Sequence, residues 1–228
     1  MKFKHILPVF AALALVSCGA FKSSEPKPVV GKITYSMKVE SVDGQDNPMI
    51  EAMQQFLPSR VEQASNGVDY AMRMDGMQAM HIVAKSADSM VYVAAGGEFI
   101  KTSISNLNNQ ADSEQGEIET VVEELGDTKE VLGMTCKGYR VTAGETVSTL
   151  YVNSDFTLNS PSGMPNMMNG AQATGNVEGT PLYVEVIMNQ GGQEFKMIME
   201  ATEFVEGEEA IKDILTPSKG EYVYQEEM

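Results

Sequence analysis

Few side chains in this chain of 228 residues could do covalent or acid–base chemistry. There are two cysteines, Cys18 and Cys136, and two histidines, His5 and His81. A zinc site built from several histidines is therefore excluded. A Ser-His-Asp triad would rest on His81 alone, and no Gly-x-Ser-x-Gly turn is present to raise its serine. His81 stands among apolar neighbours in a strand-like stretch and reads as a structural imidazole. Asp43-Gly44-Gln45-Asp46-Asn47 gathers oxygen donors but misses the D-x-D-x-D-G spacing of a calcium loop, and no later Glu completes it. It reads as a turn. The acidic residues are too dispersed to single out a carboxylate pair for glycoside hydrolysis. The thioethers of Met164, Met167 and Met168 suit copper(I), yet neither Cys nor His supports them. The chain reads as non-enzymatic, with no catalytic residue, no cofactor and no metal site.

The methionines carry the strongest functional signal. There are seventeen of them, against eight phenylalanines and eight tyrosines. An unbranched, polarizable side chain adapts to irregular or varied apolar partners. Two readings stand: core filling, or a deformable pocket for acyl chains. In the second, Met37, Met72, Met74, Met197 and Met199 line the pocket from strands. Ile50, Met53 and Leu57 of a helix, with Met164, Met167 and Met168, lie above them. Trp is absent, which argues against a carbohydrate-stacking platform.

The elements that must position these side chains are mostly strands, read from period-two alternation. Ile33, Tyr35, Met37 and Val39 point one way; Lys32, Thr34, Ser36 and Lys38 point the other. Tyr70, Met72 and Met74 oppose Asp69, Arg73 and Asp75. Leu182, Val184, Val186 and Met188 line one face, and Phe195, Met197 and Met199 follow after the Gln190-Gly191-Gly192 turn as a hairpin. Further strands are expected at 61–65, 79–85, 89–94, 98–104, 118–124, 128–132, 135–142 and 146–152. Consecutive strands joined by turns predict an antiparallel meander and not βαβ units. A helix is expected over 48–57, started by Pro48 after an Asn47 cap and ended by Pro58, with Ile50, Met53 and Leu57 on one side. Residues 158–180 read as a long loop or loop-helix, and 207–214 as a short final helix.

The net charge of −16 disfavours nucleic acid and anionic lipid headgroups as partners. The densest acidic stretch, Asp112–Glu124, reads as a solvated face. At the N-terminus, Lys2, Lys4 and His5 precede an apolar run from Ile6 to Val16, too short to span a bilayer but suited to an export signal. Leu15-Val16-Ser17-Cys18 resembles the lipobox of bacterial lipoproteins. That resemblance implies cleavage before Cys18, diacylglycerol on its sulfur and a third acyl chain on its amine. Three chains make a lasting membrane tether. Gly19, where an inner-membrane retention signal would have Asp, implies an outer-membrane location facing the periplasm or the cell surface. With Cys18 acylated, Cys136 has no intramolecular partner and reads as a buried, inert thiol.

The stretch from Gly126 to Val141 resembles a strand-turn-strand signature of secreted and lipid-anchored proteins of Gram-negative bacteria, K-x-(I/V)-x-G-x-x-C-x-x-(Y/W)-x-V, here carried by Lys129, Val131, Gly133, Cys136, Tyr139 and Val141. That family is similar in architecture to the LolA/LppX lipoprotein-carrier group. The resemblance implies an α+β, mostly β fold: a curved antiparallel sheet, an incomplete barrel, with one to three short helices on its concave side. The expected organisation is a signal peptide at 1–17, a lipidated Cys18 and flexible stalk at 18–28, and a single half-barrel domain at 29–228. The expected function is a monomeric, membrane-anchored lipoprotein that binds a lipid or acyl chain as carrier or sensor. The alternative is a non-catalytic structural or partner-binding module of the cell envelope.

Overall fold

Alternating apolar and polar side chains make strands here because a pleated backbone sends successive residues to opposite faces. The computed structural model describes residues 26–42, 48–77, 79–106, 120–144, 146–158, 177–190 and 193–226. The described residues open with β1 (Lys27–Pro28), β2 (Gly31–Ser41) and helix α1 (Pro48–Phe56). Five short strands follow: β3 (Val61–Ser65), β4 (Tyr70–Met74), β5 (Met80–Lys85), β6 (Met90–Ala95) and β7 (Glu98–Ser103). Longer ones come next: β8 (Thr120–Val131), β9 (Met134–Ala143) and β10 (Thr146–Asn153), with a short β11 (Phe156–Thr157). The long hairpin β12 (Thr180–Gln190) and β13 (Gln193–Glu206), helix α2 (Glu208–Ile211) and β14 (Val223–Tyr224) end the described chain.

Twelve of these strands form one sheet, in the order β14-β7-β6-β5-β4-β3-β2-β13-β12-β10-β9-β8. It contains two antiparallel meanders, β2 to β7 and β8 to β13, stitched together by β2 and β13 from Gly31↔Glu206 to Ser41↔Phe195. The fold class is the expected one: mostly β with few short helices, the sheet large, curved and open, not closed into a barrel. Two small parallel pairings, β1 with β11 and β14 with β7, escaped the sequence reading. The first holds Lys27 and Pro28, within the expected stalk, against Phe156 and Thr157.

The main core lies on one face of the sheet. Ile33 and Tyr35 of β2, Met72 of β4, Ile82 of β5, Leu150 of β10, Leu182 and Val184 of β12 and Met199 of β13 are all buried there. A bulge at Thr202 sets part of it. Ala201 pairs with Tyr35 and Glu203 with Thr34, so the register slips by one residue. Phe204 is thereby carried onto the core face, where it stacks on Phe156 with ring centroids 4.8 Å apart. A second, smaller core sits on the opposite face. Ala64, Ala71 and Val83 are cross-strand neighbours on β3, β4 and β5, and their small or branched side chains receive Ile211, Ile214 and Leu215. The final helix is shorter than expected, α2 giving way to turns before Ile214.

One expectation is corrected. Strands expected at 118–124 and 128–132 are a single strand, β8, which pairs with β9 on both sides of a register irregularity between Glu124 and Thr128. Gly126, at φ 74, absorbs the extra residues without breaking the strand. A Gly-Asp pair looks like a turn in sequence, and only the continuing partner β9 shows that the chain does not reverse.

Candidate functional site

The two-residue-per-side alternation of β4 and β5 brings Met74 opposite Met80, and β6 adds Ala95 opposite Met80. Cross-strand partners share a face, so these three form an apolar row at one end of the sheet. Met74 and Met80 are half-buried against the main core. The C-terminal end of α1 stands over the row. There Phe56 and Pro58 face Met74, Asp75, Met77, Ala79, Met80, Ala95 and Gly96 across a cleft of about 490 Å³. That volume falls in the range of about 300–1,000 Å³ typical of ligand pockets. Phe56 is 57% exposed and Met77 is 73% exposed, so large apolar side chains rim the opening. A smaller cleft of about 290 Å³ shares Met77, Ala79, Ala95 and Gly96 and continues round the β6–β7 turn past Glu98 and Phe99 to Ser218.

A specific contact holds α1 in place. β2 pairs with β3 only as far as Tyr35↔Val61, while its other edge stays with β13 to Ser41. Where β3 ends, Gln54 of α1 takes over: its Oε1 accepts from the Val39 N–H at 2.8 Å, and its Nε2 donates to the Met37 carbonyl at 3.3 Å. The half-buried side of the helix carries Ile50 and Met53, with Leu57 just beyond its end, as the spacing predicts.

Of the residues expected to line a pocket, Met74 borders the cleft. Met72 and Met199 are buried in the main core, at 2% and 3% exposure, and Met37 and Met197 pack against it half-buried. Ile50, Met53 and Leu57 lie on or beside α1, but Phe56 and Pro58 are the α1-end residues that reach the cleft. Met164, Met167, Met168 and the lipidation residue Cys18 lie outside the described residues. Sequence reasoning missed Phe56, Met77 and Met80. The available signal was the pair Met74 and Met80 bracketing a short turn, which places both at the same sheet end.

A polar cluster occupies the opposite face. His81 Nε2 lies 2.7 Å from the Ile214 carbonyl, which can only accept, so Nε2 carries the proton. Nδ1, 2.8 Å from Ser218 Oγ, then accepts the serine O–H. Burial lowers the imidazole pKa below its ordinary value, and the charge of Arg73 adds to this. The Ile214 bond and the Asp213 and Glu62 carboxylates pull the other way. An imidazole accepting a serine proton can in principle activate a nucleophile. Here two of the neighbouring cations are engaged by carboxylates: Arg73 by Asp213 at 3.3 Å and by Glu62 at 3.6 Å, Lys212 by Glu209 at 3.7 Å. Both His81 bonds go to the segment that follows α2. The cluster pins that segment to the sheet.

The signature residues from Lys129 to Val141 are also structural. Leu132 and Gly133 make the β8–β9 turn, Cys136 and Val141 are buried in the main core, and Lys129 Nζ sits 3.3 Å from the centre of the Tyr183 ring. Burial pushes the Cys136 thiol up to about 11, against weaker pulls from Val131 and Lys129. Among the described residues, no group of three His, Cys, Asp or Glu could hold a metal ion, and no helix is long and apolar enough to cross a membrane.

No protein-family model matches the chain, and no curated protein matches it. Among solved structures it is similar to PNGF-II, seen in C2 and P21 crystal forms, at 13% and 14% identity with TM-scores of 0.48 and 0.47. The match covers 86% of this chain but only 31% of PNGF-II, so the chain spans about a third of that protein's length. It is also similar to the LolA superfamily protein NE2245 from Nitrosomonas europaea, at 12% identity and a TM-score of 0.32, covering 83% of this chain and 92% of that one. Likeness of this degree assigns neither ligand nor activity.

Proposed function

We propose that this chain is a non-catalytic envelope lipoprotein, tethered through acylated Cys18, whose open half-barrel takes an apolar chain into the cleft beside α1. The observation that supports this most directly is the cleft itself: about 490 Å³ walled by Phe56, Pro58, Met74, Met77, Met80 and Ala95. Its driving force is burial, about 0.8 kcal/mol for each methylene removed from water, offset by the ordering of a flexible tail. Met74, Met77 and Met80 can change rotamer at little cost, so chains of different length can be accommodated.

The test uses residues 19–228, which retain every described residue and lack the acylation site. Displacement of a fluorescent fatty-chain probe by unlabelled neutral amphiphiles below micelle formation is expected, and Met80→Glu should weaken it at least tenfold while leaving the far-UV circular dichroism unchanged. A chain that displaces nothing, or a Met80→Glu variant that binds as well as the parent, sinks the reading.

A second reading rests on β8. It is the last strand of the sheet, and its outer edge has no strand partner among the described residues. An open edge is a template for pairing with another chain. Chemical crosslinking in intact envelopes that maps to β8, with no loss of amphiphile binding when β8 is blocked, would favour partner binding as a separate role.

A further inference from the structure

We infer that the cleft selects amphiphiles by head-group charge, taking an alkylammonium in preference to a carboxylate or phosphate of the same chain length; this rests on the ligand-binding reading above. The argument comes from how the cross-strand row continues. Met74↔Met80↔Ala95↔Glu98 runs straight across β4, β5, β6 and β7, so all four side chains share a face. With strands about 4.8 Å apart, the row is about 14 Å long. The row is apolar up to Glu98, and beyond Met74 it continues to the buried Val61 of β3. At the α1 end Asp75 follows Met74 and borders the larger cleft; at the β7 end Glu98 borders the smaller one.

Among the described residues, no lysine or arginine borders either cleft. Neither carboxylate has an ion partner among the described residues: Arg73, two residues from Asp75, is held by Asp213 at 3.3 Å and Glu62 at 3.6 Å, and Arg60 is held by Glu62 at 2.6 Å. A head group at either cleft therefore lies beside a carboxylate that has no ion partner among the described residues. An anionic head is repelled at both ends, and an ammonium is attracted at both. Since the two carboxylates are exposed, the selectivity is modest and falls with salt.

The experiment measures binding of three twelve-carbon probes to residues 19–228: dodecyltrimethylammonium, monolaurin and dodecanoate, each below its micelle concentration. The ammonium is expected to bind about tenfold tighter than the carboxylate at low salt, with monolaurin between, and the gap should close near 1 M salt, where the Debye length is about 3 Å. Asp75→Asn with Glu98→Gln should abolish the ordering, the ammonium and the carboxylate then binding alike. Glu123→Gln with Glu130→Gln, on β8 at the far edge of the sheet, should preserve it. A carboxylate that binds as tightly as the ammonium overturns the inference while the cleft reading survives. So does an ordering that persists in the Asp75/Glu98 variant, which would trace it to the net charge of the whole chain. If monolaurin itself does not bind, the cleft reading fails and the head-group assignment with it.

Discussion

The side-chain amide of Gln54 pairs with the backbone of β2 around Val39 as a neighbouring strand would, one atom accepting and one donating. This bond closes the stretch of β2 edge that β3 does not reach and seats α1 beside the cleft. Gln54→Ala should cost about 1 kcal/mol, the value of such bonds in proteins. Gln54→Glu should fall between, because it keeps an acceptor for the Val39 N–H but loses the donor to the Met37 carbonyl. Urea midpoints will read the stability, and hydrogen exchange at Val39 should quicken in Gln54→Ala, which alone loses the acceptor. Unchanged exchange there would mean that the helix is held by Ile50, Met53 and Leu57 alone.

His81 gives stability a defined pH dependence. Its folded pKa is depressed by burial, so the unfolded chain takes up a proton near pH 6.5 while the folded chain still resists one. The contribution is therefore complete above about pH 6.5 and is lost as pH falls through the folded value. Urea midpoints should decline from pH 7.5 to 5, and His81→Gln should flatten that decline. A steeper decline in the variant would show that the imidazole is stabilised by protonation instead.

Glu62 is a buried carboxylate, with 8% of its side chain exposed, facing Lys32 at 2.8 Å, Arg60 at 2.6 Å and Arg73 at 3.6 Å. Removing its charge leaves Lys32 and Arg60 without a counter-ion and Arg73 with Asp213 alone. Glu62→Gln should cost about 3 kcal/mol, as for other broken buried pairs. Arg60→Ala, from a half-exposed position, should cost under about 1 kcal/mol. Equal effects of the two substitutions would contradict this ranking.

The β8–β9 turn carries a correctable flaw. Leu132 at φ 55 and Gly133 at φ 74 form a two-residue connection between Val131 and Met134, a geometry that favours Asn-Gly. Leu132 is 40% exposed and forfeits little packing when replaced. Leu132→Asn should stabilise by about 0.5–1 kcal/mol and raise Tm by about 1–4 °C, whereas Gly133→Ala should lower it. A fall in Tm with Leu132→Asn would show that the leucine packs against something that repays its backbone strain.

Much of this architecture was legible in the residues alone. The β2, β4 and β12–β13 alternations name which side chains share a face, because side-chain direction along a strand depends only on local backbone geometry. Met37, Met72, Met74, Met197 and Met199 do lie on the main core face. Helix α1 was equally plain from Pro48, Pro58 and the spacing between them. The near-continuous β8 was not, since Gly126-Asp127 has the same local chemistry whether the chain turns or bulges. Nor was the second core, where Ala64, Ala71 and Val83 gain their meaning only when Ile214 arrives from 130 or more residues away in the chain.

Local chemistry determined the strands, their faces, the acid-rich charge and the scarcity of catalytic groups. Tertiary structure decided which methionines fill the core and which stand at an opening. It also decided where His81 finds its partners and why Gln54 matters. Each of these depends on residues distant in sequence being brought within a few ångströms, and no periodicity along the chain encodes that distance.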